Sequence, residues 1–536
     1  MVAKSIASER PRARWRPALA ALLAALSGLA LSGCGSADNS QFALAVIGDP
    51  EDPFLPGPGL PLAGQLTRAA TAEGLVSFDE QGRVVPALAD RWIVTDDGQS
   101  YIFRLRDGHW LNGEPLTARA AKAALDRAIR ALRDTPLGLD LAGVDEVRTM
   151  AGRVIEIRLK RPLPYFLQIL AQPELGLRRE KQGDGPMILE REGTVARFIP
   201  IEPSRLGLPA VDDWDERTRP LEMVALPASQ AVARFNEGKV DLVLGGRVQD
   251  FPLTGSVGIL RGTIQLDPVV GLFGLHVARA EGFLADPQNR GALAMAIDRA
   301  ALIEPFGVSG WTATTLLVPA SIDGDLSSEP ERWADLPIER RREMAAARVQ
   351  QWRTGTAAPQ AAGTPSPTAQ SEAARENKSE SKGAGAAPAA AAPALTLWLP
   401  DGPGSDILFR RLVEDTSAIG LRLTRAANSE GADLRLVDEV ARYPRAGWFF
   451  NQLSCAARRG ICDPGADALI REALGTLEAA PRAALLEQAS TRLTQANLFI
   501  PFGTPIRWSL VRGDVKGFAP NAWAWHPLMP LAWVHR

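Results

Sequence analysis

The sequence predicts an α/β fold divided into more than one lobe. Short runs with apolar residues at every second position, the period of a half-buried strand, are interleaved with stretches whose apolar residues recur at helical spacing. At 536 residues the chain is too long for one simple core. Its 46% hydrophobic and 23% charged residues are ordinary values for a folded protein. A formal net charge of −2 supplies no concentrated basic surface for a phosphate backbone, so no nucleic-acid partner is expected.

The first stretch reads as an address. Lys4, Arg10, Arg12, Arg14 and Arg16 precede an apolar run from Ala18 to Leu31, short of the roughly 20 apolar residues a membrane span needs. Leu31-Ser32-Gly33-Cys34 resembles a bacterial lipobox, which implies cleavage of residues 1–33 as a signal peptide and lipidation of the Cys34 thiol. The mature chain is then expected on the periplasmic side of the cell envelope, tethered to a membrane by lipid alone.

Gln41 to Ile47 is apolar enough for a first strand, broken by Gly48-Asp49-Pro50 and a Pro/Gly-rich loop. Asp97-Gly98 supplies turn chemistry. After it Tyr101, Phe103 and Leu105 alternate with Arg104 and Arg106, which predicts a strand with the arginines outward. Gly108 and Gly113 bracket a tight loop holding Trp110. Thr117 can cap a helix whose apolar face is Ala121, Leu125, Ala128, Ile129 and Leu132. Val154 to Leu159 alternates as a further strand, Ser229 to Asn236 is helical in pattern, and Leu395 to Leu399 is a strand followed by a helix around Ile407 to Thr416. Arg340 to Arg342 with Arg348 and Arg353 reads as a solvated helix face. Residues 354–393, rich in Ala, Pro, Ser and Thr, lack apolar periodicity and are expected to form a disordered insertion.

Several of these fragments, in order, carry a resemblance. Glu73-Gly74-Leu75-Val76, Pro86-Ala87-Leu88-Ala89-Asp90-Arg91-Trp92, the Asp97 to Ala118 stretch, Gly183-Asp184-Gly185-Pro186, Gly238-Lys239-Val240-Asp241 and the Arg290 to Ile303 segment, the last as the helix that opens the second lobe, resemble the peptide-type solute-binding proteins of ABC importers. The resemblance implies a bilobal α/β periplasmic-binding-protein fold of the peptide-binding type, its lobes joined by a hinge. Residues 34–267 would form lobe I with an extra subdomain, 268–499 lobe II, and 500–536 the return to lobe I. It also implies a monomer without cofactor that captures a peptide or peptide-like solute and delivers it to a permease and ATPase complex in the inner membrane. The competing reading is a lipoprotein of the same fold whose degenerate cleft serves a structural or sensory partner. An Asn-Pro-x-Tyr-Trp element usual in the family is missing, with only Trp214 left of it.

By the same resemblance the cleft is expected to be lined by Asp49, Gly246, Arg247, Phe273, Arg442 and Trp448. Relatives place an Asp for the ligand's α-ammonium at or near the position of Arg442 here, so an arginine contacting a negative group is expected instead. The alternatives are that Asp438 or Glu439 close by restores the acidic anchor, or that Arg442 simply faces solvent. Trp523, Trp525 and Trp533, at strand spacing, are expected in the core. Of three cysteines, Cys455 and Cys462 remain beside Cys34; in an exported protein they favour a disulfide, since two sulfurs without a nearby His are poor zinc ligation. Catalysis is not expected. Four scattered His show no metal-ligand spacing, and neither a Gly-x-Ser-x-Gly elbow nor a phosphate-cradling loop is present.

Overall fold

The strand Phe42–Ile47 buries Phe42, Leu44, Ala45 and Val46, and sits at the centre of a seven-stranded sheet. The computed structural model describes residues 42–534 apart from 180–181, 259–261, 323–325, 327–329 and 358–391. Across the sheet the order is Met187–Glu192, Val195–Pro200, Leu221–Leu226, Phe42–Ile47, Leu242–Gly246, Trp508–Val511 and Ile264–Leu266. Phe42–Ile47 runs parallel to both neighbours, whereas Trp508–Val511 is antiparallel to both of its own.

A second, five-stranded sheet has the order Arg422–Arg425, Ala394–Trp398, Leu434–Val440, Gly271–Val277 and Phe499–Gly503. All seven residues of Gly271–Val277 are buried, which is why its sequence is continuously apolar instead of alternating. The chain crosses between the two sheets twice, at 267–270 and 504–507. The crossings lie side by side, with Asp267 N–H donating to the Arg507 carbonyl at 3.0 Å. Phe499–Gly503 pairs with Gly271–Val277, so the return to the first sheet falls after Gly503 and not at residue 500.

A four-stranded sheet has the order Ala89–Val94, Ser100–Leu105, Val154–Leu159 and Val144–Thr149. Its hairpin turns at Gly98 (φ +66°), with Asp97 Oδ1 accepting from Gln99 N–H at 2.9 Å. Tyr101, Phe103 and Leu105 are buried. Thr117 Oγ1 accepts from Ala120 N–H at 3.2 Å and caps Ala118–Ala131, whose Ala121, Leu125, Ala128 and Ile129 pack on the same core.

Arg106 departs from the expected outward pattern and is 3% exposed. It lies just past the strand, where its guanidinium donates to Glu73 Oε2 (2.6 Å), the Ala87 carbonyl (3.2 Å) and Asp184 Oδ2 (3.3 Å). Burial pushes the Asp184 carboxyl up to about 6, against the pull of Arg106. Four fragments recognised separately in the sequence therefore meet in one buried ion network. A buried guanidinium needs carboxylates and carbonyls around it, and each of the other three fragments supplies one.

Three expectations are corrected in the second lobe and its surroundings. The Arg290 to Ile303 segment is two helices, Pro287–Ala296 and Arg299–Ile303. Asp298 breaks the run because its side chain caps Ala301 N–H (3.1 Å) while its own N–H donates to Asp415 Oδ2 (3.1 Å). Arg299 then turns inward, its Nε donating to the Pro501 carbonyl at 2.7 Å. The basic run on Ile338–Ala357 is not wholly solvated, since Arg342 pairs with Asp415 and Arg348 with Asp286. Trp523 and Trp525 lie outside any strand, on the loop before the short helix Leu528–Leu531.

Cys455 and Cys462 are joined in a disulfide. Cys34, the signal segment and most of the expected insertion lie outside the described residues. Among the described residues no helix is long and apolar enough to cross a membrane.

Candidate functional site

A cavity of about 680 Å³ opens between the two sheets, beside the crossings. Gly48 and Arg247 reach it from just beyond the C-terminal ends of two adjacent parallel strands, the place where an open α/β sheet leaves a crevice. Asp267 and Arg507 enter from the crossings, and Trp448 and Gln452 from the helix Ala446–Leu453 of the opposite side. The loop Trp523 to His526 lines it as well.

Of the six residues expected to line the cleft, Gly246, Arg247, Arg442 and Trp448 do so. Asp49 and Phe273 do not. Asp49 is exposed in a turn where its N–H donates to Asp52 Oδ2 at 2.9 Å. Phe273 is 1% exposed, turned by the strand pleat into the second lobe's core between Trp311 and Phe502, each 5.6 Å away. Gly246 is required by packing: a Cβ there would stand 2.1 Å from the Trp508 indole. That indole also donates to the Arg247 carbonyl at 2.9 Å and so fixes where the arginine leaves the strand.

Sequence reasoning missed Glu174, Asp267, Gln452, Arg507, Trp508 and His526. Each comes from a different element, and only their convergence in the fold marks them. Trp525, expected in the core, is buried there at 7% exposed, and Trp523 packs against the same core; both also border the cavity. Trp523 is held there by donation to the Gly82 carbonyl at 2.8 Å.

The charges of the cavity are largely paired with one another. Arg442 forks onto Glu174 through Nη1 (3.1 Å) and Nη2 (2.8 Å), and its Nη1 also donates to Gln172 Oε1 at 2.8 Å. Burial works against that guanidinium's charge, yet Glu174 opposite holds its pKa above the ordinary value. The fork expected to meet a solute's negative group is thus already filled by Glu174. Arg459 pairs with Glu439 at 2.7 Å, and Arg507 with Asp438 at 2.7 Å. His526 Nε2 lies 3.3 Å from Asp267 Oδ2. Arg247 has no carboxylate partner among the described residues; its Nη1 donates to the Asp438 backbone carbonyl at 3.2 Å.

Beyond Arg442 the chain reaches across to the first lobe. Tyr443 stacks on Tyr165 with ring centroids 4.1 Å apart, and its hydroxyl donates to Asp140 Oδ1 at 2.6 Å. Asn451 Nδ2 donates to the same oxygen at 2.7 Å. Burial pushes the Asp140 carboxyl from 3.8 up to about 6, although both hydrogen bonds oppose the shift. A carboxyl raised on folding binds more protons folded than unfolded between about pH 4 and 6, so its stabilising effect is complete below that window and lost as pH rises through it. Asp140→Asn keeps an oxygen for both donors and removes the ionisation. Relative to wild type it should gain about 1–2 kcal/mol at pH 7.5 and less at pH 4.5. Equal effects at the two pH values in urea titrations would assign the shift to something other than Asp140.

Comparison with known proteins places this architecture. The middle region of the bacterial extracellular solute-binding proteins, family 5, matches residues 83–351, half of the chain. The periplasmic murein peptide-binding protein MppA of Escherichia coli (strain K12) is 25% identical over 264 residues, 43% of this chain and 48% of that protein. The glutathione-binding protein GsiB of the same strain is 26% identical over 298 residues, 50% of this chain and 54% of that protein. The chain thus spans about half the length of these relatives. In structure, Haemophilus influenzae OppA in complex with the peptide RPPGFSPFR matches with a TM-score of 0.72 at 17% identity, covering 92% of this chain and 99% of that one. The fold is the two-lobed α/β fold of periplasmic peptide-binding proteins, and with half of its length matched by the family the chain belongs to the bacterial extracellular solute-binding proteins, family 5.

Proposed function

We propose that the protein captures a peptide or peptide-like solute between its lobes and delivers it to an ABC permease and ATPase complex. The observation that carries this reading is the cavity of about 680 Å³, which both lobes line and both crossings border. A solute held there touches each lobe and therefore favours the closed arrangement over the open one, which is how hinge closure registers binding. Relatives named for murein peptide and glutathione support the solute class. Family members bind substrates without converting them, and the same is proposed here. Native mass spectrometry of the purified protein, followed by denaturing release, should reveal a peptide-like mass that leaves on unfolding. Persistent absence of such a mass, with no uptake of short peptides added in excess, would overturn the proposal.

The same reading places the protein on the periplasmic side of the envelope, anchored through Cys34. Cys34→Ala should move the protein from the membrane fraction to the soluble one. A variant that still sediments with membranes removes Cys34 as the anchor.

A further inference from the structure

We infer that the cleft selects an anionic, amide-bearing solute, with Arg247 receiving its carboxylate, and that it does not require a free α-ammonium. The inference rests on the solute capture proposed above and narrows it to a chemical class.

The argument is one of charge matching. Four guanidiniums line the cavity, those of Arg247, Arg442, Arg459 and Arg507. Three of them have carboxylate partners in Glu174, Glu439 and Asp438. The remaining carboxylate on the lining, Asp267, accepts from Asn521 N–H at 2.9 Å and faces His526. A solute ammonium entering this cavity meets only carboxylates that already have a partner and would have to share one with it. Arg247 is the reverse case. It is exposed to the cavity and has no ion pair among the described residues.

The surroundings of Arg247 reinforce this. The like charge of Arg507, and then burial, hold the Arg247 guanidinium below its ordinary pKa. Asp438, Glu439 and Asp250, in that order, are near enough to pull the other way but make no ion pair with it among the described residues, and burial pushes the Asp250 carboxyl up to about 6. A carboxylate arriving at Arg247 would relieve the repulsion and occupy a fork suited to two parallel N–H donors.

A second feature points to an amide. Trp448 Nε1 and Gln452 Oε1 are buried, and neither has a hydrogen-bond partner among the described residues. Trp448 and Gln452 are 2% exposed, line the cavity, and stand four residues apart on one helix, hence on one face. Buried polar atoms are rarely left without partners. One donor and one acceptor on the same face are the complement of an amide's carbonyl and N–H. A volume of about 680 Å³ suits a short peptide or an acylated amino acid.

The test uses a library of tri- and tetrapeptides in three terminal forms: free, N-acetylated and C-amidated. The library is incubated with the purified protein, and the retained fraction is read by mass spectrometry. N-acetylated members should be retained as well as free ones. C-amidated members without Asp or Glu should be depleted about tenfold or more. Arg247→Gln should erase that discrimination, and Arg247→Lys should keep part of it. Retention that demands a free amine, or that ignores C-amidation, overturns the inference while leaving peptide capture standing. Loss of discrimination in neither arginine variant does the same. Retention of no form overturns solute capture itself and this inference with it. Should Arg247→Gln fail to fold, the wild-type library alone decides between these outcomes.

Discussion

Arg442→Ala is expected to destabilise the protein by about 3–5 kcal/mol, the usual consequence of removing one partner from a buried ion pair. Glu174 is 3% exposed on its side chain, and the Arg442 fork supplies both of its charge-assisted bonds across the cleft. Without Arg442 the carboxylate is left in a desolvated place, and Gln172 Oε1 loses a donor as well. Deleting both charges together is a different experiment. Arg442→Met combined with Glu174→Gln removes the attraction and the desolvation cost at once, so most of the loss should be recovered. Urea titration of the two single variants and the double variant measures the coupling. If Arg442→Ala costs less than about 1 kcal/mol, the pair behaves as a surface contact and does not clasp the lobes.

Gly246→Ala should cost about 1–3 kcal/mol through overpacking, and more if the sheet cannot relax. The added methyl would lie 2.1 and 2.2 Å from Cδ2 and Cε2 of Trp508, a side chain only 1% exposed. The indole has nowhere to go without breaking its bond to the Arg247 carbonyl. The substitution should therefore lower the melting temperature and also disturb the cleft. Trp508→Leu introduced beside Gly246→Ala should give a double variant less destabilised than the sum of the two single changes, because the small and large residues were fitted to each other. Strict additivity would show that the glycine is not there for the indole.

What could be read from the sequence and what could not divides along contact distance. The hairpin at Gly98, the strand Ser100–Leu105 and the Thr117 cap depend on neighbours a few residues away, and their periodicity announces them. The inward turn of Arg106 does not, because its partners Glu73 and Asp184 lie 33 and 78 residues off. The cleft repeats the lesson. Gly246, Arg247, Arg442 and Trp448 were reachable through resemblance, but the state of each was not. That Arg442 is spent on Glu174, 268 residues away, while Arg247 has no carboxylate partner among the described residues, follows only from the fold. Phe273 failed for a simpler reason: in a strand buried on both faces, sequence pattern gives no sign of which side chains face the cleft.

The placing of Trp508–Val511 also dictates an order of events during folding. This strand lies between Leu242–Gly246 and Ile264–Leu266, yet it is made only after the whole second lobe. Until it arrives, two strands made much earlier stand with open backbone donors and acceptors, the kind of edge that invites pairing with another molecule. Nothing local can fill the gap, because the missing partner comes from beyond the whole second lobe, and such distant pairing is slow. A chain halted before residue 508 therefore does not become a shorter version of the same protein. It becomes a sheet with its interior missing, exposed to aggregation from the inside out.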